Sequence, residues 1–368
     1  MTLRPWHASL LAALLVCCST SQPAPSTAPS ASAVPAPAIA TTTPSPTAAP
    51  AGACANDCWP LSGRPLAGGD PKRRPILAKI DNHPLARPHY GINQADLVFE
   101  TIVEGYATRL AAIFQSQDPK TIAAIRSARL TDRSLAPMVR GALVYSGTSA
   151  FEKPLIQQDA RDGKYLDLSA DYYSQYQRFP DRPGPYNMYT STTDMRAIVK
   201  QLDPKPVDVP RWAFLSGAHT PQDGGMTGAL PAVELTVPYR EDVALVTYKY
   251  DAAARTYARW QNISSKPAQT VDALDGKPVA ATNVVVLYTD IVDVPEIVDA
   301  AGFTSFNMRL TGTGAASVFR DGLRLDASWS RANDNAPFAF ASGSTPILLA
   351  AGQTWIEVIP IGWVVSSK

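Results

Sequence analysis

Between Lys79 and Arg109, four acids, two histidines and two arginines share about thirty residues with apolar runs of strand length. A charge inside a sheet is tolerated only where a partner meets it. The stretch therefore demands a fold that sets acids and bases against one another across, or at the ends of, neighbouring strands. Pro75–Ile80, Ala95–Glu104, Ala107–Gln115 and Thr121–Ile125 are the expected strands. Alternation within Ala95–Glu104 sends Leu97, Phe99 and Thr101 to one side and Val98, Glu100 and Ile102 to the other.

The elements that follow are mixed. Asp132–Arg140 reads as a helix with an acidic first turn and a basic last turn, and Ala142–Tyr145 as a strand. Thr192–Gln201 reads as a second helix, capped by Ser191 or Thr192. Tyr165–Tyr189 is rich in Tyr, Asp, Arg and Pro, as an ordered loop over the domain would be, and its tyrosines are expected to pack that loop. Pro204–Gly228 suits a domain boundary. From Val233 onward the pattern changes to short alternating strands, with Asp321-Gly322 as a two-residue hairpin turn. The expected class is α+β: a layered α/β N-terminal domain over residues 59–225, then a smaller, mostly antiparallel β-rich domain over 230–365.

The first residues constrain location. Arg4 and His7 precede the apolar run Leu10–Val16, too short to span a bilayer as an anchor, so residues 1–18 read as an export signal. The run ends at Cys17 and Cys18 in a pattern like a bacterial lipobox, with Cys18 the preferred lipid acceptor and Cys17 the next. Ser19–Ala51 is uncharged Ala, Pro, Ser and Thr, a composition that cannot bury a core and acts as a tether. Cys54 and Cys58, the last two of four cysteines, suit a local disulfide in an oxidising compartment. Thirty-three basic and thirty-two acidic residues leave a net charge of +1, which offers no field for nucleic acid.

The segments Asp81–Pro88, Gly91–Glu100, Glu104-Gly105, Thr108-Arg109, Ile125–Arg129 and Gly352–Ile356 together resemble the YerB-type lipoproteins, a bacterial family with N- and C-terminal domains of unknown function. The resemblance covers about residues 59–361; His89 and Tyr106 depart from it, standing where Gln and Gly are more usual. It implies an exported, membrane-tethered envelope protein and supplies no activity.

The residues themselves point to a polar pocket. Asp81, Asn82, His83, Arg87, Glu100, Glu104, Arg109, Arg126, Ser127 and Arg129 are the candidate ligand-binding set. Arginines at strand ends offer a donor fork for a carboxylate, a phosphate or sugar hydroxyls. The expected ligand is a cell-wall fragment or another anionic small molecule. The opposing reading makes the same groups buried ion pairs that fix strand order. Two other functions stay open: a cell-wall glycan hydrolase or lyase using Glu100 and Glu104, and a scaffold that engages another envelope protein through the C-terminal domain. No cofactor motif and no metal-ligand spacing is legible; Asp290, Asp293 and Glu296 lack the order of a calcium loop.

Overall fold

In a computed structural model, residues 52–299 and 302–368 are described. The signal segment, Cys17, Cys18 and the tether lie outside the described residues. Among the described residues no helix is long and apolar enough to cross a membrane.

The fold is mostly β, with three helices among the described residues. Its frame is a twelve-stranded sheet. From one edge to the other run Thr345–Ile347, Ala339–Ser342, Leu323–Arg331, Gly312–Arg320, Asn283–Thr289, Thr354–Pro360, Leu97–Ile102 (β2), Thr108–Phe114 (β3), Ile76–Asp81 (β1), Ala142–Tyr145 and Leu166–Ser169. Short Leu230–Pro231 joins Leu323–Arg331. The central strands carry Ile, Leu, Val, Ala and Phe on both sides and are buried throughout, which is why they read as near-continuous apolar runs.

The α/β layering expected for the N-terminal domain gives way to a mostly β arrangement, and the two expected domains meet in one sheet. The C-terminal strand Thr354–Pro360 inserts beside β2, parallel to it, and parallel to Asn283–Thr289 on its other side, so both halves build one sheet over one continuous core. Antiparallel pairing dominates elsewhere in the C-terminal half. There Lys266–Gln269, Thr256–Ile263, Val246–Asp251, Glu234–Val237 and Ser366–Ser367 form a second sheet, with Ala280–Ala281 on its side. The Asp321-Gly322 turn closes its hairpin as expected, with both residues at positive φ and Arg320 paired to Leu323.

Pro204–Gly228 is tied into the fold. Trp212 packs edge-on to Phe99 and beside Phe338, and Phe214 bridges to Leu349. Tyr165–Tyr189 opens with the edge strand Leu166–Ser169 and closes with Gln177–Arg178 paired to Met188–Thr190. Its tyrosines pack: Tyr189 stacks on Phe179 and Tyr186 on His83. Helix α1 (Asp132–Met138) ends before Arg140, helix α2 (Glu152–Arg161) was not expected, and helix α3 (Thr192–Leu202) is capped by Ser191, whose Oγ accepts the Asp194 N–H. The expected Thr121–Ile125 strand shrinks to Ile122–Ala123. Cys54 and Cys58 are joined by a disulfide.

Candidate functional site

Strand alternation divides the candidate residues between two faces of the large sheet. Glu100 pairs across with Leu110, and Thr108 lies two residues along on that same face. Asp81 pairs with Arg109, and Arg109 with Thr101, on the other. Glu100 and Arg109 therefore point away from each other.

The Glu100 face is covered by the second sheet and is fully buried. Glu100 accepts from Asn82 at 2.9 Å, from the Thr108 hydroxyl at 2.7 Å and from Arg259 at 2.6 Å. Arg259 also donates to Gln261 and Thr270, and its guanidinium lies 4.7 Å from the Trp355 ring centre. Register sets Glu357 beside Glu100 on the adjacent parallel strand, where it accepts the Tyr248 hydroxyl. Burial, then the neighbouring Glu100 charge, push the Glu357 carboxyl up to about 8, so it is protonated at neutral pH. Arg87 belongs to this side. It donates to the carbonyls of Asn82, Asn262 and Val243, which stitches the Asn82 turn to the second sheet. His89, fully buried, hydrogen-bonds through Nε2 to the Asp81 carbonyl; burial, reinforced by Arg87, lowers its pKa to about 3 and keeps the ring neutral.

The other face carries the arginines. Arg126 Nε meets Asp81 at 2.9 Å, and its side chain is 27% exposed. Arg129 grips Glu104 with both arms, at 2.6 and 2.8 Å. Burial alone would raise the Glu104 carboxyl, but Arg129, helped by Arg109 and a hydrogen bond from Ser305, holds it down at about 2. Arg109 differs. It is 7% exposed, donates only from Nη1 to the Ser127 carbonyl at 3.2 Å, and leaves Nε with no hydrogen-bond partner. Among the described residues no carboxylate lies within ion-pair distance of it. Burial and the Arg129 charge lower its pKa to about 10. His83 accepts the Leu85 N–H, and Tyr186 stacks on it at 4.6 Å beside Arg126. Beneath the cluster, Lys79 and Asp132 form a fully buried pair at 2.9 Å.

The structure thus brings together Asp81, Glu104, Arg109, Arg126, Ser127 and Arg129, with His83 beside them, at the end of the sheet where β1 and β2 finish and β3 begins. It sets Asn82, Arg87 and Glu100 apart, inside. Arg259, Glu357 and Tyr248 complete that interior and were missed. A signal existed: Glu357 interrupts an apolar strand, as Glu100 does, and a buried acid in such a strand calls for a cation or keeps its proton. Chemically, the outer cluster sets Arg109, Arg126 and Arg129 against Asp81, Glu104 and, 4.0 Å from Arg129, Glu152, so what it offers an anion is the unused donors of Arg109 and Arg126.

Two family models match the chain: "Protein of unknown function (DUF3048) N-terminal domain" over residues 61–205, and the corresponding C-terminal domain over 235–356. The chain is 30% identical over 306 residues to "Putative lipoprotein YerB" of Bacillus subtilis, covering 82% of this chain and 86% of that one. A crystal structure of the Bacillus subtilis YerB protein matches with a TM-score of 0.70 at 26% identity, over 84% of this chain and 99% of that one.

Proposed function

The chain belongs to the DUF3048 family, and we propose that it is an exported, lipid-anchored envelope protein whose arginine cluster binds an anionic ligand. The anchor would be Cys18, with residues 19–51 as the tether. The similarity to a relative named as a lipoprotein supports the address. One observation carries the ligand reading: Arg109 is a buried cation with no carboxylate at ion-pair distance and an unbonded Nε, held between two arginines that are both ion-paired. Leaving such a charge unpaired is unfavourable in a fold selected for stability alone. Arg126, partly exposed and bonded only through Nε, supplies the outward-facing fork.

The acid–base alternative finds less support. A general acid holds a proton near neutral pH, whereas Glu104 is ionised down to about pH 2 and Glu100 is sealed between the sheets. Ligand-observed proton NMR with methyl phosphate, D-lactate and acetate, each against a neutral analogue, tests the binding reading. Saturation transfer to the anions alone, lost in Arg126→Gln, is the expected result. Equal transfer to neutral and anionic members would sink it.

A further inference from the structure

A second concavity adjoins the arginine cluster. It has a volume of about 570 Å³ and is walled by Tyr106, Tyr239, Phe303, Phe306 and Trp363, with Arg240, Asp293 and Thr304 among its polar groups. That volume falls in the ordinary range for small-molecule sites, roughly 300–1,000 Å³. The two sites share a wall. Glu104, held by Arg129, is also hydrogen-bonded by Ser305. The next residues on each segment, Gly105 and Tyr106 on one and Thr304 and Phe306 on the other, line the cleft.

The rings are displayed rather than packed away. Tyr106 is 50% exposed and Phe303 51%. Tyr106 lies 5.3 Å from Phe306 and 6.5 Å from Trp363, nearly parallel to the latter. Its backbone sits at φ 59°, a region that a bulky side chain enters at a penalty. Arg240 donates to the Gly105 carbonyl and fixes that turn. Gly105 itself sits at φ 68°, a conformation that favours glycine, and a Cβ there would press on the Phe303 ring at 3.3 Å. At the rim, Asp293 engages Thr304 through one carboxylate oxygen and leaves the other for a ligand hydroxyl.

We infer that cleft and cluster form one site for an acidic saccharide: pyranose faces lie on Tyr106 and Trp363, hydroxyls reach Asp293, and the sugar's carboxylate meets the arginines. The inference rests on the anion-binding reading and adds the ligand class. Flat apolar faces flanked by both donors and acceptors match a sugar ring. A neutral glycan would leave Arg109 unanswered, and a simple anion would leave the rings unused.

The test titrates the full protein calorimetrically with three probes: the disaccharide of N-acetylglucosamine and N-acetylmuramic acid, which bears one carboxylate; N,N′-diacetylchitobiose, its neutral counterpart; and D-lactate. The acidic disaccharide should bind at least about tenfold more tightly than either of the others, a gap of about 1.4 kcal/mol. Tyr106→Gly, which suits the positive φ and so keeps the turn, and Trp363→Leu should each weaken the disaccharide about tenfold and leave D-lactate unchanged. Circular dichroism checks the fold of each variant. Disaccharide affinity unaltered in both variants, with lactate still dependent on Arg126, overturns the saccharide site and spares the anion site. Equal binding of N,N′-diacetylchitobiose and the acidic disaccharide, or no binding of any probe, overturns both.

Discussion

The two faces of the central sheet use the same residue types to different ends. Inside, Glu100 has three donors, Arg259 has a carboxylate, an amide, a hydroxyl and an aromatic face, and Glu357 stays protonated beside them. At the sheet end, Arg126 pairs with Asp81 and Arg129 with Glu104 and Glu152, while Arg109 has no carboxylate at ion-pair distance. The difference separates charge that holds a fold from charge that waits for a ligand. Partner count, rather than charge or burial, is the discriminator, since Arg109 and Arg259 are both buried.

Breaking the inner pair should have the largest effect. Arg259→Met strands Glu100 and should lower unfolding free energy by about 3–5 kcal/mol in urea titrations. Adding Glu100→Gln should recover part of that loss, because the stranded charge is gone. A single variant as stable as the parent would place Arg259 with Arg109 and erase the distinction.

Glu104→Gln comes next. Losing a two-armed charged hydrogen bond should remove about 1.5–3 kcal/mol at pH 7. The Glu104 carboxyl is depressed in the fold, so its contribution is full above its unfolded value of about 4.5 and disappears as pH falls toward about 2. Parent and variant melting temperatures should therefore converge in acid.

The pair that separates function from stability is smaller in energy. Arg109→Met should leave stability unchanged, or raise it by up to about 1 kcal/mol, while anion affinity falls at least tenfold.

Glu357 should show a pH dependence opposite in sign to that of Glu104. Its carboxyl is raised in the fold, so below about 4.5 its contribution is complete, and it is lost as pH rises through about 8. Glu357→Gln does not titrate. Its stability relative to the parent should therefore improve steadily from pH 5 to pH 8.

Much of this was legible in the chain. Apolar alternation located β1, β2 and β3, assigned Glu100 to the face opposite Phe99, and Asp321-Gly322 gave a hairpin turn. What could not be read was long range. Nothing local in Thr354–Pro360 says that it will slot beside β2 in parallel register, and that single insertion joins the two expected domains in one sheet and sets Glu357 against Glu100. The aromatic cleft was missed for the same reason: Tyr106, Phe303 and Trp363 are far apart in sequence, and only the folded turn at Gly105 assembles them. The candidate arginines were found because strand ends carry them within a short span; which one lacked a partner needed coordinates.

The most direct measurement pairs unfolding and binding on the same protein. Parent and Arg109→Met are each melted and each titrated with D-lactate and phosphate under identical salt. The expected result is a melting temperature equal to or above the parent's together with lost anion binding. A melting temperature several degrees lower with anion binding intact would make Arg109 a structural cation and contradict it.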